Sequence, residues 1–81
     1  MSEYASIIRE FIIENFLFGN ANGLKNDSSF LDDGIMDSTG ALEMITFLEE
    51  RFGIAVEDEE ITVQNFDSIE KVASYLETKL G

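Results

Sequence analysis

The chain has 81 residues, 44% of them hydrophobic, with 17 acidic against 5 basic residues and a formal net charge of −12 at pH 7. That length allows one small core, expected as a single domain over residues 1–81, and the apolar fraction supports a folded globule rather than a disordered segment. Cysteine and histidine are both absent; this excludes disulfides, Cys/His zinc sites and Ser-His or Cys-His nucleophiles, while the acidic charge disfavours nucleic acid and favours proteins with basic patches.

From about Glu3 to Leu17, Tyr4, Ile7, Ile8, Phe11 and Ile12 recur at three- and four-residue steps, with Glu3, Arg9, Glu10 and Glu14 elsewhere. The spacing predicts an amphipathic helix with Gly19 as its stop. The N-terminus is acidic and amphipathic, unlike a signal peptide, and no apolar run approaches membrane-spanning length. A cytoplasmic protein without membrane association is the expectation. From Phe18 to Met36 the chain is rich in Asn, Asp, Ser and Gly, a long loop in which Leu24, Phe30, Leu31 and Ile35 are spaced as pins to the core. Its aspartates do not make an EF-hand. With Gly34 at the loop glycine, the third ligand falls on Leu31 and the final glutamate on Gly40. No metal site is assigned.

Gly34-Ile35-Met36-Asp37-Ser38-Thr39-Gly40 is a turn with two glycines and two hydroxyls, and it leads into a second helical repeat ending at Phe52. Ala41, Leu42, Ile45, Leu48, Glu49 and Phe52 fall near one face, and Gly53 is placed to end the helix. Asp37 and Ser38 are both strong N-cap residues, so the helix begins at one of them. A serine hydroxyl then stands at the positive end of a helix dipole, where an attached phosphate is favoured. It is either a cap or a covalent attachment point. Met44 and Phe47 are expected on the partly exposed side, as core edge or docking surface.

Beyond Gly53, Ile54-Ala55-Val56 is a short connection, and Glu57-Asp58-Glu59-Glu60 an acidic block expected to be solvated. Ile61 to Phe66 holds a short helical turn. Asp67-Ser68-Ile69-Glu70 predicts an N-cap at Asp67 with a capping-box glutamate. The last helix turns Ile69, Val72, Ala73, Leu76 and Leu80 inward and Lys71 and Lys79 outward. The chain is therefore expected to be all-α: a small four-helix bundle of three main helices and one short one, with a long first loop. Leu42, Ile45, Leu48, Ile54, Ile61, Phe66, Ile69 and Leu76 are its core, some of them lining a cleft.

The run Gly34 to Ser38, Glu43 beyond it, and Leu48-Glu49-Glu50-Arg51-Phe52-Gly53-Ile54 closing the helix resemble the acyl carrier protein family over about residues 3–80. The resemblance implies that Ser38, beside Asp37, carries 4′-phosphopantetheine donated by coenzyme A, whose thiol holds cargo as a thioester. It also implies that an aromatic in Asp27–Gly34 anchors the first loop. Partners implied are a phosphopantetheinyl transferase, an acyl-activating ligase or acyltransferase, and condensing or transfer enzymes that dock basic patches on acidic residues. The matching positions are Asp37, Glu43, Glu49 and Glu50, with Thr39, Met44 and Phe47 as further contacts and Asp32 and Asp33 nearby. The protein would be a monomeric carrier, not an enzyme. Thr39 and Gly40 stand where leucine or isoleucine usually follows the serine, and Phe47 where the family is often small. These departures point to a specialised pathway rather than primary fatty acid synthesis. An aminoacyl or D-alanyl-type carrier, and a helical interaction module without a prosthetic group, remain as alternatives.

Overall fold

Apolar residues at helical spacing make α1 (Glu3–Phe16), which buries Ala5, Ile8 and Ile12. The computed structural model describes residues 3–19 and 23–80; the loop positions expected at 20–22 lie outside the described residues. The helix stops where Phe18 and Gly19 both take positive φ, 53° and 85°, and the Gly19 N–H turns back to the Ile13 carbonyl at 2.9 Å. Gly19 thus acts as the stop its position suggests.

α2 (Ser38–Phe52) is followed by a 3₁₀ turn (Asp58–Glu60), the single-turn α3 (Val63–Phe66) and α4 (Ile69–Leu80). The expected all-helical architecture is the observed one, with α4 packed against both α1 and α3. No strand occurs among the described residues, and none of their helices is long and apolar enough to cross a membrane. The core joins Ile8 and Ile12 of α1, Met44 and Leu48 of α2, and Ile69, Val72 and Leu76 of α4, all fully buried.

The buried face of α2 is turned from the expected one. Gly40, Met44, Ile45 and Leu48 point inward, so Met44 is completely buried and Leu42 is 56% exposed. Positions 42 and 44 lie about 200° apart around a helix, so one core cannot take both. Met44, unbranched and flexible, fills the space among α1 and α4 side chains.

The long loop is held from the α3–α4 junction. Phe30 is buried, as the family resemblance implies for the loop aromatic, and Leu24 is buried with it. The Phe30 N–H donates to the Asp67 carbonyl at 2.8 Å, the Leu31 N–H to Asp67 Oδ1 at 3.0 Å, and Ser29 Oγ to Asp67 Oδ2. Asp67 is therefore not the cap of the last helix. Ser68 takes that place, its Oγ accepting the Lys71 N–H at 3.1 Å, which leaves the Asp67 carboxylate free to face the loop.

The acidic block is more than a solvated face. Glu57 and Glu60 form a reciprocal capping box, and Glu60 Oε1 also accepts from Tyr75 Oη at 3.0 Å and Lys79 Nζ at 2.9 Å. These bonds tie the segment leading into α3 to α4. The Glu57 N–H, then Lys79, hold the Glu60 carboxyl below its ordinary range. Burial first, and the neighbouring Glu60 next, push the Tyr75 phenol up to about 12 from 10.0. The folded state thus keeps a proton that the unfolded chain releases, so this stabilisation is full below pH 10 and fades as pH rises through about 12. Urea melts between these limits are expected to show a steeper alkaline loss for wild type than for Tyr75→Phe. Equal slopes would show that the phenol does not couple to folding.

Candidate functional site

Two features of the chain converge at the start of α2. Asp37 is extended (φ −105°, ψ −168°) and its Oδ1 accepts the Gly40 N–H at 2.9 Å, closing the first turn. The first helical residue is then Ser38, exposed and with its hydroxyl in no hydrogen bond among the described residues. Contrast the serines at 28, 29 and 68, whose hydroxyl oxygens all take part in local bonds. A capping serine would accept from the turn it caps. Since Asp37 does that work, Ser38 is left as an exposed hydroxyl, unbonded among the described residues, at the positive end of a fifteen-residue helix.

Beside this hydroxyl opens a groove of about 300 Å³ between α2 and the segment from Ile61 to Asp67. Its walls are largely apolar: Phe30, Leu31 and Met36 from the loop, Leu42 and Ile45 from α2, Ile61, Val63 and Phe66 from the far side. Leu42 and Ile61, expected as core, are instead exposed at its rim, with Val63 exposed beside them. Burial of Met44 turns Leu42 to this side, so the face of α2 decides which of the apolar residues line the cleft and which are core.

The acidic residues divide by environment. Asp32, Asp33, Asp37, Glu43 and Glu50 are exposed around the serine turn and along α2. Glu49, given as a docking residue, is half-buried and accepts the Val56 N–H at 2.9 Å through Oε2. It fixes the chain leaving α2. Met44 is removed from the docking set by its burial, because a fully enclosed side chain offers nothing to a partner. Phe47 is half-buried and stacks on Phe11 with ring centroids 4.2 Å apart, and Thr39 is exposed next to Ser38. Sequence reasoning missed Asp67 as the brace behind the groove wall; its place before Ser68 in a cap-like run concealed it.

Comparison with known proteins points to one family. Residues 16–76 match the family model described as a phosphopantetheine attachment site. An acyl carrier protein from Bdellovibrio bacteriovorus is 32% identical over 72 residues, covering 89% of this chain and 88% of that one. A D-alanyl carrier protein from Abiotrophia defectiva is 33% identical over 55 residues, covering 68% and 70%. Among solved structures, a holo acyl carrier protein from Nitrosomonas europaea superposes with a TM-score of 0.80 at 28% identity, covering 98% of each chain.

Proposed function

We propose, for a chain that belongs to the phosphopantetheine-attachment family of carrier proteins, that Ser38 holds its 4′-phosphopantetheine and that the cargo is an acyl group. The observation that carries the assignment is the free Ser38 hydroxyl on a helix already capped by Asp37. The residues present suit the group: first-turn N–H groups favour a phosphodiester, and the exposed side chain leaves room for a transferase. When bound, the group supplies a thiol that carries cargo as a thioester. The chain itself positions the serine and shelters what is attached; the transferase brings the catalytic groups. An apolar groove adjoining Ser38 favours an acyl cargo. The likeness to a D-alanyl carrier protein keeps an aminoacyl cargo as the second reading. Intact mass and peptide mapping after incubation with coenzyme A and a broad transferase test the attachment. Parallel loading by acyl-activating and aminoacyl-activating ligases separates the two cargoes.

Partners are the transferase, an acyl-activating ligase or acyltransferase, and condensing or transfer enzymes, met by one monomeric carrier domain in the cytoplasm. Glu43 and Glu50, exposed on α2, with Thr39 and the edge of Phe47, form the surface that they meet. Glu43→Lys is expected to slow modification by up to about tenfold, through the association rate, and raised salt to slow the wild type in the same way. Rates indifferent to both changes would make docking apolar.

A further inference from the structure

Gly40 sits in the first turn of α2, where glycine is a poor helix former and where alanine would be favoured by its propensity. Packing explains its presence. A β-carbon at this position would lie 2.7 Å from Phe16 Cε1 and 3.3 Å from Phe16 Cζ, with Met36 Cβ at 3.0 Å. The turn that presents Ser38 therefore rests directly on the ring of the last residue of α1. That ring is itself held: it meets Phe11 edge-on at 5.9 Å, and Phe11 stacks on Phe47 of α2. The same glycine donates the N–H that Asp37 caps, so a shift of the ring moves the cap and the serine together.

From this contact we infer that Phe16 is a positioning residue for modification at Ser38: its ring, filling the place of a β-carbon at Gly40, sets how the serine hydroxyl is presented to the transferase. The inference rests on Ser38 being the attachment residue. Phe16 touches neither coenzyme A nor the reacting oxygen, and it acts through the backbone of residues 37–40. Leucine at 16 lacks the Cε and Cζ atoms that meet Gly40, so Phe16→Leu relieves the tightest of the contacts a methyl group at 40 would make and leaves the one with Met36 Cβ at 3.0 Å. Gly40 and Phe16 should then behave as a coupled pair.

The experiment measures kcat and KM for transfer from coenzyme A by a broad transferase to wild type, Gly40→Ala, Phe16→Leu and the double variant. All are assayed well below their melting temperatures, with helicity recorded for each. A displacement on the order of 1 Å at a reacting group costs up to about a hundredfold in rate. Gly40→Ala, which must push the ring or the turn by less than this, is expected to lower kcat about tenfold, with KM changed less. Phe16→Leu, removing the support without a clash, is expected to lower kcat about threefold, and the double variant to regain part of the loss in Gly40→Ala, the contact with Met36 remaining. If Gly40→Ala fails to fold, Phe16→Leu and the double variant still decide, by the kcat of one and the recovery of folding in the other. Unchanged kcat in every folded variant, whatever the change in melting temperature, would overturn the inference by reducing the contact to stability alone. So would additive losses in the double variant. Modification that persists in Ser38→Ala would instead overturn the attachment assignment on which the inference rests, and the two failures are read in different lanes of the same assay.

Discussion

Ser38→Ala is expected to abolish uptake of phosphopantetheine completely while leaving the fold almost untouched. Both halves follow from the geometry of one turn. The hydroxyl makes no hydrogen bond among the described residues, so its removal strands no buried partner. Alanine is a better helix former than serine, and the cap remains on Asp37, so stability should change by no more than about 0.5 kcal/mol. Loading has no such reserve, because the adjacent hydroxyl, Thr39, belongs to the next position around the helix and carries a branched β-carbon. Asp37→Ala makes the informative contrast. It keeps the nucleophile but frees the Gly40 N–H, costing about 1 kcal/mol and loosening the turn, so loading should be slowed rather than lost. Intact mass and circular dichroism on the two variants check this order. Modification of Ser38→Ala at Thr39 would reverse it.

The elements that were legible in the sequence are those whose signals are local. Asp37 at the start of α2 and Gly53 at its end bracket the helix at the residues observed, since capping needs only the chemistry of one side chain and one positive φ. The short turn of α3 and the buried Phe30 were likewise within reach. What was hidden depends on partners distant in sequence. Nothing in the run Ala41 to Phe52 says whether Leu42 or Met44 faces the core, because both are large and apolar; α1 and α4 decide it. The role of Gly40 is invisible without the ring of Phe16, twenty-four positions earlier. Glu60 looks like one more surface charge until Tyr75 and Lys79 arrive from α4. A cleft lined by part of the apolar set was expected too, but which residues are its walls and which are core depends on the same distant partners.

The largest loss of stability is expected from Asp67→Ala. Asp67 is only 9% exposed, and its carboxylate accepts from Ser29 Oγ and the Leu31 N–H, holding a loop thirty-six residues away in sequence. Alanine would leave two donors without their charged acceptor, and bonds of this kind are worth about 1.5–3 kcal/mol each. A total cost of about 3–6 kcal/mol follows, a large share of the roughly 5–10 kcal/mol that stabilises a small domain. Asparagine should cost less, since its carbonyl oxygen can keep the Leu31 N–H while the bond from Ser29 loses its charge. The backbone bond from the Phe30 N–H to the Asp67 carbonyl survives either change, so the loop should loosen first at Ser29 and Leu31 rather than at Phe30. Urea denaturation gives the totals, and amide hydrogen exchange at 30 and 31 gives the order. Function should follow the same path, because Leu31 and Phe30 are walls of the groove whereas Ser38 stands on α2. Asp67→Ala, assayed where it is folded, should therefore still accept phosphopantetheine at near the wild-type rate but shield an attached acyl chain less well, seen as faster thioester hydrolysis. A stability change no larger than that of a surface substitution, about 0.5 kcal/mol, would show that the loop is held by the burial of Phe30 alone.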